Sequence, residues 1–299
     1  ATHNPQSAIH NPQLSLPPVD RTYKLFIGGK QVRPDQGYAR RIVAADGQVL
    51  GEVAEGNRKD VRNAVEAAHA AVGWGGGGAG GHARAQVLYY IAENLATRSA
   101  EYAARVAALT GGGAAAGERE VAAAIARLFT YAAWADKWDG AVHHTPLRGV
   151  TLAMHEPVGV LGIAAPDEFP LLGFVSLLAP ALALGNAVIA IPSERHPLAA
   201  TEFYTVLETS DVPDGTVNVI TGPKDALAQV LAEHDDVDGV WYCGGPAGAK
   251  AVEFASAANM KRTWTITPPR DWLEPRQGEG REFLRRASEV KNIWIPYGE

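Results

Sequence analysis

Residues 158–191, VGVLGIAAPDEFPLLGFVSLLAPALALGNAVIAI, decide the fold. Val158 to Ala165 is an apolar run of strand length, ended by Pro166-Asp167-Glu168-Phe169-Pro170. Leu171 to Leu184 is too long for a strand and apolar on every side, so it reads as a buried helix. Gly185-Asn186 then turns the chain, and Ala187 to Ile191 is a second buried strand. Two strands joined through a helix pair in parallel by a right-handed crossover.

The same rhythm continues downstream. Leu198–Glu208 reads as helix, Val217–Ile220 as strand, Asp225–Ala232 as helix, Val240–Cys243 as strand and Ala247–Ala258 as helix. The expected class is α/β, a Rossmann-like parallel sheet with flanking helices. Such sheets bind ligands beyond the carboxyl ends of their strands. The loops at 166–170, 192–197, 221–224 and 244–248 are therefore the candidate site.

Upstream, Gly28-Gly29 and Asp46-Gly47 each sit between β-prone runs and predict hairpins. Asn57 is placed to cap a helix whose Val61, Ala64, Val65, Ala68 and Val72 share one face. Further helices are expected over His82–Leu109 and Glu118–Trp138, with His143 and His144 in a loop. Residues 1–20 repeat His-Asn-Pro-Gln at positions 3 and 10, and the prolines exclude a coiled coil. They read as an extended arm, with His3 and His10 solvated rather than metal-bound. After Met260 the rhythm stops: Pro268-Pro269 and Pro275 mark a loop, Glu282–Ala287 a short helix and Val290–Pro296 a last strand.

Composition narrows the function. The 299 residues carry 27 Lys plus Arg against 33 Asp plus Glu, a net charge of −6. That balance lacks the basic stripe of a nucleic-acid binder. The one cysteine, Cys243, excludes a disulfide framework and a cysteine-based zinc site. With no apolar run of about 18 residues and no apolar core in the first twenty, neither a membrane span nor a signal peptide is expected, and a cytoplasmic protein is.

Several segments in register resemble the cofactor domain of the aldehyde dehydrogenase superfamily. They are Glu156-Pro157-Val158-Gly159-Val160, Pro166 to Leu171, Ala179 to Ala183 with Gly185-Asn186, Ile191-Pro192-Ser193-Glu194, Gly215 to Gly222, and Tyr242-Cys243-Gly244-Gly245. Val290 to Trp294 is similar to the family's terminal strand, which pairs across a dimer interface. Within the superfamily, the Pro166-Asp167-Glu168 loop, the Phe174–Pro180 helix, Trp241-Tyr242 and Trp294-Ile295-Pro296 most resemble the degenerate C-terminal domain of the tandem-domain family-sixteen aldehyde dehydrogenases.

The resemblance implies as much by its gaps. The family's nucleophilic cysteine lies in a catalytic domain between the last cofactor strand and the terminal strand. That interval here holds no cysteine and no Glu-Leu-Gly-Gly-Lys segment. Glu168 stands where the family has an asparagine that donates to the oxyanion, an interaction worth about 3 to 4 kcal/mol. Ile191 and Gly245 replace a lysine and a serine that hold the dinucleotide, at about 0.5 to 1.5 kcal/mol for each hydrogen bond lost. Pro246 removes a backbone donor from the same turn. Glu194, Gly222, Gly244 and Gly245 remain as weak or vestigial cofactor contacts, so the expected cofactor is none or weakly held NAD(P).

The expected organisation is an arm at 1–20, the dinucleotide-binding-fold domain at 21–260, a connector at 261–284 in place of the catalytic domain, and an oligomerisation strand at 285–299. Val290, Ile293, Trp294 and Ile295 are its expected contact residues. The expected function is a non-catalytic domain or subunit that assembles with a catalytic aldehyde dehydrogenase chain, or with its own copies. The alternative is a residual dinucleotide-binding or sensing module.

Overall fold

The computed structural model describes residues 22–74, 80–146 and 148–297; the His3 and His10 repeat lies outside them. The described residues begin with β1 (Thr22–Tyr23), β2 (Leu25–Ile27), β3 (Lys30–Val32), β4 (Ala39–Val43) and β5 (Val49–Ala54). Four helices follow: α1 (Arg58–Ala70), α2 (Gly80–Thr97), α3 (Ser99–Thr110) and α4 (Ala114–Trp134). Next come β6 (Ala141–His143), β7 (Gly149–Pro157), β8 (Val160–Ala164), α5 (Pro170–Ala183) and β9 (Ala187–Ile191). Then follow α6 (Leu198–Glu202), α7 (Tyr204–Glu208), β10 (Val217–Val219), α8 (Lys224–Glu233), β11 (Gly239–Cys243) and α9 (Pro246–Ser256). The last elements are β12 (Arg262–Ile266), α10 (Pro275–Gly278), α11 (Arg281–Arg286) and β13 (Ser288–Pro296).

The central sheet runs β12-β11-β8-β9-β10-β2-β3. Its first five strands are mutually parallel, as the alternating rhythm predicts, and the β2–β3 hairpin adds antiparallel at β10. All fourteen residues of α5 are buried, because a helix without a polar face finds its minimum inside. Asn186 pins the turn after it: its Oδ1 accepts from Gly159 N at 3.0 Å, and its Nδ2 donates to Ala181 O and Ala287 O. Gly159 is required there, since a Cβ would lie 2.2 Å from Asp238 Oδ2 at φ +126°. Asn57 caps α1 in a full capping box with Asp60.

The structure corrects several boundaries. The helix expected over 82–109 breaks at Arg98, whose guanidinium reaches forward to both carboxylate oxygens of Glu101 in the first turn of α3. The helix expected over 198–208 divides at Phe203, the third long helix lies at 114–134, and His143 is in a strand. The largest correction is at 261–284. This is not connector throughout, because Arg262–Ile266 forms β12, a further parallel strand paired with β11 from Gly239↔Arg262 to Cys243↔Ile266. An edge strand keeps polar residues on its half-open side, so RTWTI lacks the continuous apolar run that marks β8 and β9.

The terminal strand β13 pairs antiparallel with β7 over nine residues, and β6 completes a three-stranded arm. Among the described residues, no helix is long and apolar enough to cross a membrane.

Candidate functional site

The loops after β8, β9, β11 and β12, with the start of α8, surround a cleft of about 400 Å³ at the carboxyl edge of the sheet. Its polar lining includes Asp167, Glu168, Glu194, Lys224, Asp225 and Arg270. Thr267, Pro268, Pro269 and Trp272 form the wall on the connector side.

The cleft's charges are largely committed to one another. Lys224, buried at the first turn of α8, reaches Asp167 Oδ2 at 3.2 Å and donates to Ala165 O at 3.4 Å. The other Asp167 oxygen accepts from Ser193 Oγ at 2.8 Å and Arg195 N at 3.4 Å. Burial alone would raise the Asp167 pKa, but Lys224, Ser193 and the Arg195 amide together lower it. Glu194 Oε2 accepts from Lys224 N at 2.8 Å, so its carboxylate already occupies the N-terminus of α8. Arg40 in turn donates to the Glu194 carbonyl.

A second carboxylate closes the N-terminus of α5. Glu120, on the buried face of α4, accepts from Leu171 N at 2.8 Å and Leu172 N at 3.2 Å. Burial raises its pKa against those two backbone donors. Sequence reading missed this residue, although a signal exists: Glu120 and Arg127 interrupt a helical face otherwise carried by Val121, Ala124, Leu128 and Tyr131. Glu168 lines the cleft with an exposed side chain, and no hydrogen bond is made by it among the described residues.

The glycines divide. The Tyr242 hydroxyl lies where side chains at Gly244 and Gly248 would be, 2.4 and 1.9 Å from their ideal Cβ positions. It donates to Asp225 Oδ1 at 2.5 Å, tying β11 to the first turn of α8, and burial followed by that carboxylate pushes its pKa up. Gly244 and Gly248 thus make room for the tyrosine. Gly245 caps α9 with open space beside it. Gly222 does not line the cleft; it holds φ +152° against Leu227 and Gly56. Cys243 is 3% exposed, and burial raises its thiol pKa to about 12 against the nearby Lys224 and Arg270 cations.

On the terminal strand β13, Val290, Ile293, Trp294 and Ile295 are 53%, 38%, 57% and 48% exposed. Successive strand residues point to opposite faces, so Ile293 and Trp294 leave apolar surface on both sides of the arm. Val142, Val150 and Met154 add to it from β6 and β7.

Comparison with known proteins agrees with the fold and extends it to β12. The aldehyde dehydrogenase family model matches residues 32–266. An aldehyde dehydrogenase of Agaricus bisporus is 33% identical over 243 residues, 79% of this chain and 48% of that protein. The betaine aldehyde dehydrogenase of Bacillus subtilis is 32% identical over 80% of this chain and 49% of its own length. The crystal structure of an NAD-dependent aldehyde dehydrogenase from Sinorhizobium meliloti superposes with a TM-score of 0.79 at 27% identity, covering 84% of this chain and 51% of that one. This chain therefore spans about half the length of the curated relatives it matches.

Proposed function

The chain belongs to the aldehyde dehydrogenase family, and we propose that within it this is a non-catalytic unit that assembles with and supports a catalytic aldehyde dehydrogenase chain in the cytoplasm. The observation that carries the reading is the thiol. Aldehyde oxidation by this family's chemistry starts from a reactive cysteine, and a thiol nucleophile needs a lowered pKa and access. Cys243, the one cysteine of the sequence, has neither. Glu168 at the oxyanion-donor position has no proton to offer as a carboxylate. By this reading the chain is nearest in kind to the degenerate C-terminal domain of the tandem-domain family-sixteen enzymes.

The cofactor contacts support the same reading. The NAD(P) that the family implies fits poorly into this cleft. Glu194 fills the α8 N-terminus, Pro246 lacks a donor at α9, and the Tyr242–Asp225 clasp takes the space at Gly244 and Gly248. A pyrophosphate would meet Asp167, Glu168, Glu194 and Asp225 with only Lys224 and Arg270 in return. We read cofactor binding as weak or lost. Calorimetric titration with NAD to about 1 mM, a concentration that detects even weak sites, should give no binding heat. A micromolar constant would put the dinucleotide-sensing alternative first.

The arm is the assembly element. A three-stranded sheet with apolar residues on both faces and, among the described residues, an unpaired edge at β13 gains stability by lying against another chain. Native mass spectrometry tests this on the Ile293→Glu/Trp294→Glu variant, which puts charge on both faces. The expected result is loss of the assembled mass with an unchanged far-ultraviolet dichroism spectrum. An assembly that survives the double substitution would refute the arm's role.

A further inference from the structure

The outer edge of the central sheet, along β12, carries a surface that the reading of the cleft leaves unexplained. β12 is the edge strand, with β11 on one side and, among the described residues, no strand on the other. Arg262 N donates to Asp238 O, and Ile266 O accepts from Gly244 N. Backbone groups alternate sides along a strand, so Arg262, Trp264 and Ile266 serve β11 while those of Thr263 and Thr265 face outward. The strand offers an unfilled ladder.

The surroundings of that edge are basic. Residues 261–291 hold eight Lys or Arg and five Asp or Glu, a net of +3 within a chain of net −6. A groove of about 470 Å³ runs beside β12, lined by Arg262, Thr263, Trp264, Arg285 and Arg286 among others. Glu282, the acid of this groove, is engaged by Arg270 at 3.2 Å. Arg262 pairs with Glu289 at 2.9 Å, but both are about half exposed, which makes the pair weak. Arg286 lies over the Trp264 ring at 5.2 Å. Neither Arg285 nor Arg286 forms an ion pair among the described residues, and both are exposed.

We propose that the free edge of β12 accepts an acidic, extended peptide segment of a partner protein, which adds as an eighth strand and lays its carboxylates against Arg262, Arg285 and Arg286. Main-chain ladder bonds supply affinity in such additions, and side chains supply selection. The arginines provide the selection in both directions. Two copies meeting edge to edge would bring two basic faces together, so the charge that blunts self-pairing admits a strand of opposite sign. The arm lies on a separate sheet and meets this edge through the Arg262–Glu289 pair at the start of β13, whereas Arg285 and Arg286 lie on α11.

The probe is a fluorescent, end-blocked octapeptide alternating Glu with Thr or Val, titrated by anisotropy into the whole protein. Saturable binding is expected, with slowed amide exchange at Thr263 and Thr265. Arg285→Glu/Arg286→Glu should weaken it by about tenfold or more, as expected for reversing charges at a contact. Methylating alternate backbone nitrogens of the peptide should weaken it comparably, because the ladder is lost with the charges intact. Three results would overturn the proposal: no binding at about 1 mM, equal binding of the methylated peptide or of inorganic polyphosphate, or a change of oligomeric state in the double variant without peptide. The second would make the groove a charge-only anion site, and the third would mean that a second copy covers the edge.

Discussion

Arg127→Ala is expected to lower the unfolding free energy by about 4 kcal/mol, in the range for breaking a buried charge network from one side. The Arg127 side chain is 4% exposed and pairs with Glu279 at 2.9 Å. It also donates to Ser176 Oγ at 2.7 Å, to Trp272 O at 3.2 Å and to Gly278 O. Burial lowers its pKa, and Glu279 opposes that shift. Truncation to alanine would take the guanidinium donor away from the Trp272 and Gly278 carbonyls and the Ser176 hydroxyl, and would remove the partner of the partly exposed Glu279 carboxylate. The consequence reaches both ends of the connector, because the same segment supplies Trp272 to the cleft wall and leads through α11 into β13. Urea unfolding with an unchanged m-value measures the loss. Arg127→Lys should recover only part of it, since an ammonium cannot reproduce the planar fork. A loss below about 1 kcal/mol for the alanine variant, the size of an ordinary surface change, would mean that Arg127 does not hold the connector.

Asp167→Asn should cost about 2 to 3 kcal/mol near neutral pH, just short of the full penalty for leaving a buried cation unpaired. Lys224 is the cation left behind. The pH dependence separates this from simple loss of packing. The Asp167 pKa is lowered in the folded protein, so its ionised form contributes stability above the unfolded value, and that contribution is lost as pH falls through the folded one. The gap between parent and variant should therefore stay level above about pH 5 and shrink below about pH 4, the region of an unperturbed aspartate. A gap independent of pH would remove the ion pair as its cause.

The parallel core was legible because β8, α5 and β9 each announce themselves locally, by an unbroken apolar run of the right length. β12 was not, because its alternating threonines carry an edge strand's mixed pattern and its identity comes from the neighbour it pairs with. The strands β6 and β7 escaped notice for the same reason: most of their residues are exposed, so no buried run marks them. In the cleft, the strand-end loops could be placed from the alternating rhythm, and Glu194 from the family resemblance. The commitments that decide its chemistry could not. Glu120 reaches α5 from 51 residues earlier in the chain, and Lys224 meets Asp167 across 57. Gly244, expected as a vestigial cofactor contact, faces the Tyr242 hydroxyl, a neighbour that only the folded chain brings to it.

The pairing of β13 with β7 also sets an order of events. Its partners lie from 131 residues apart, at Pro157 and Ser288, to 147 apart, at Gly149 and Pro296, whereas β8 and β9 pair at a separation of 27. Closing the longer loop costs about 1.4 kcal/mol more in chain entropy, and contacts of long range form late. The sheet should therefore be in place while the outer edge of β7 is still bare. Pulse-labelled hydrogen exchange should then protect Leu161 and Ile189 before Leu152 and Ile293. During that interval, the strand that takes the β13 position need not come from the same molecule. Strand exchange between copies, which reuses the nine-residue register without new contacts, is thus built into the order in which this chain folds.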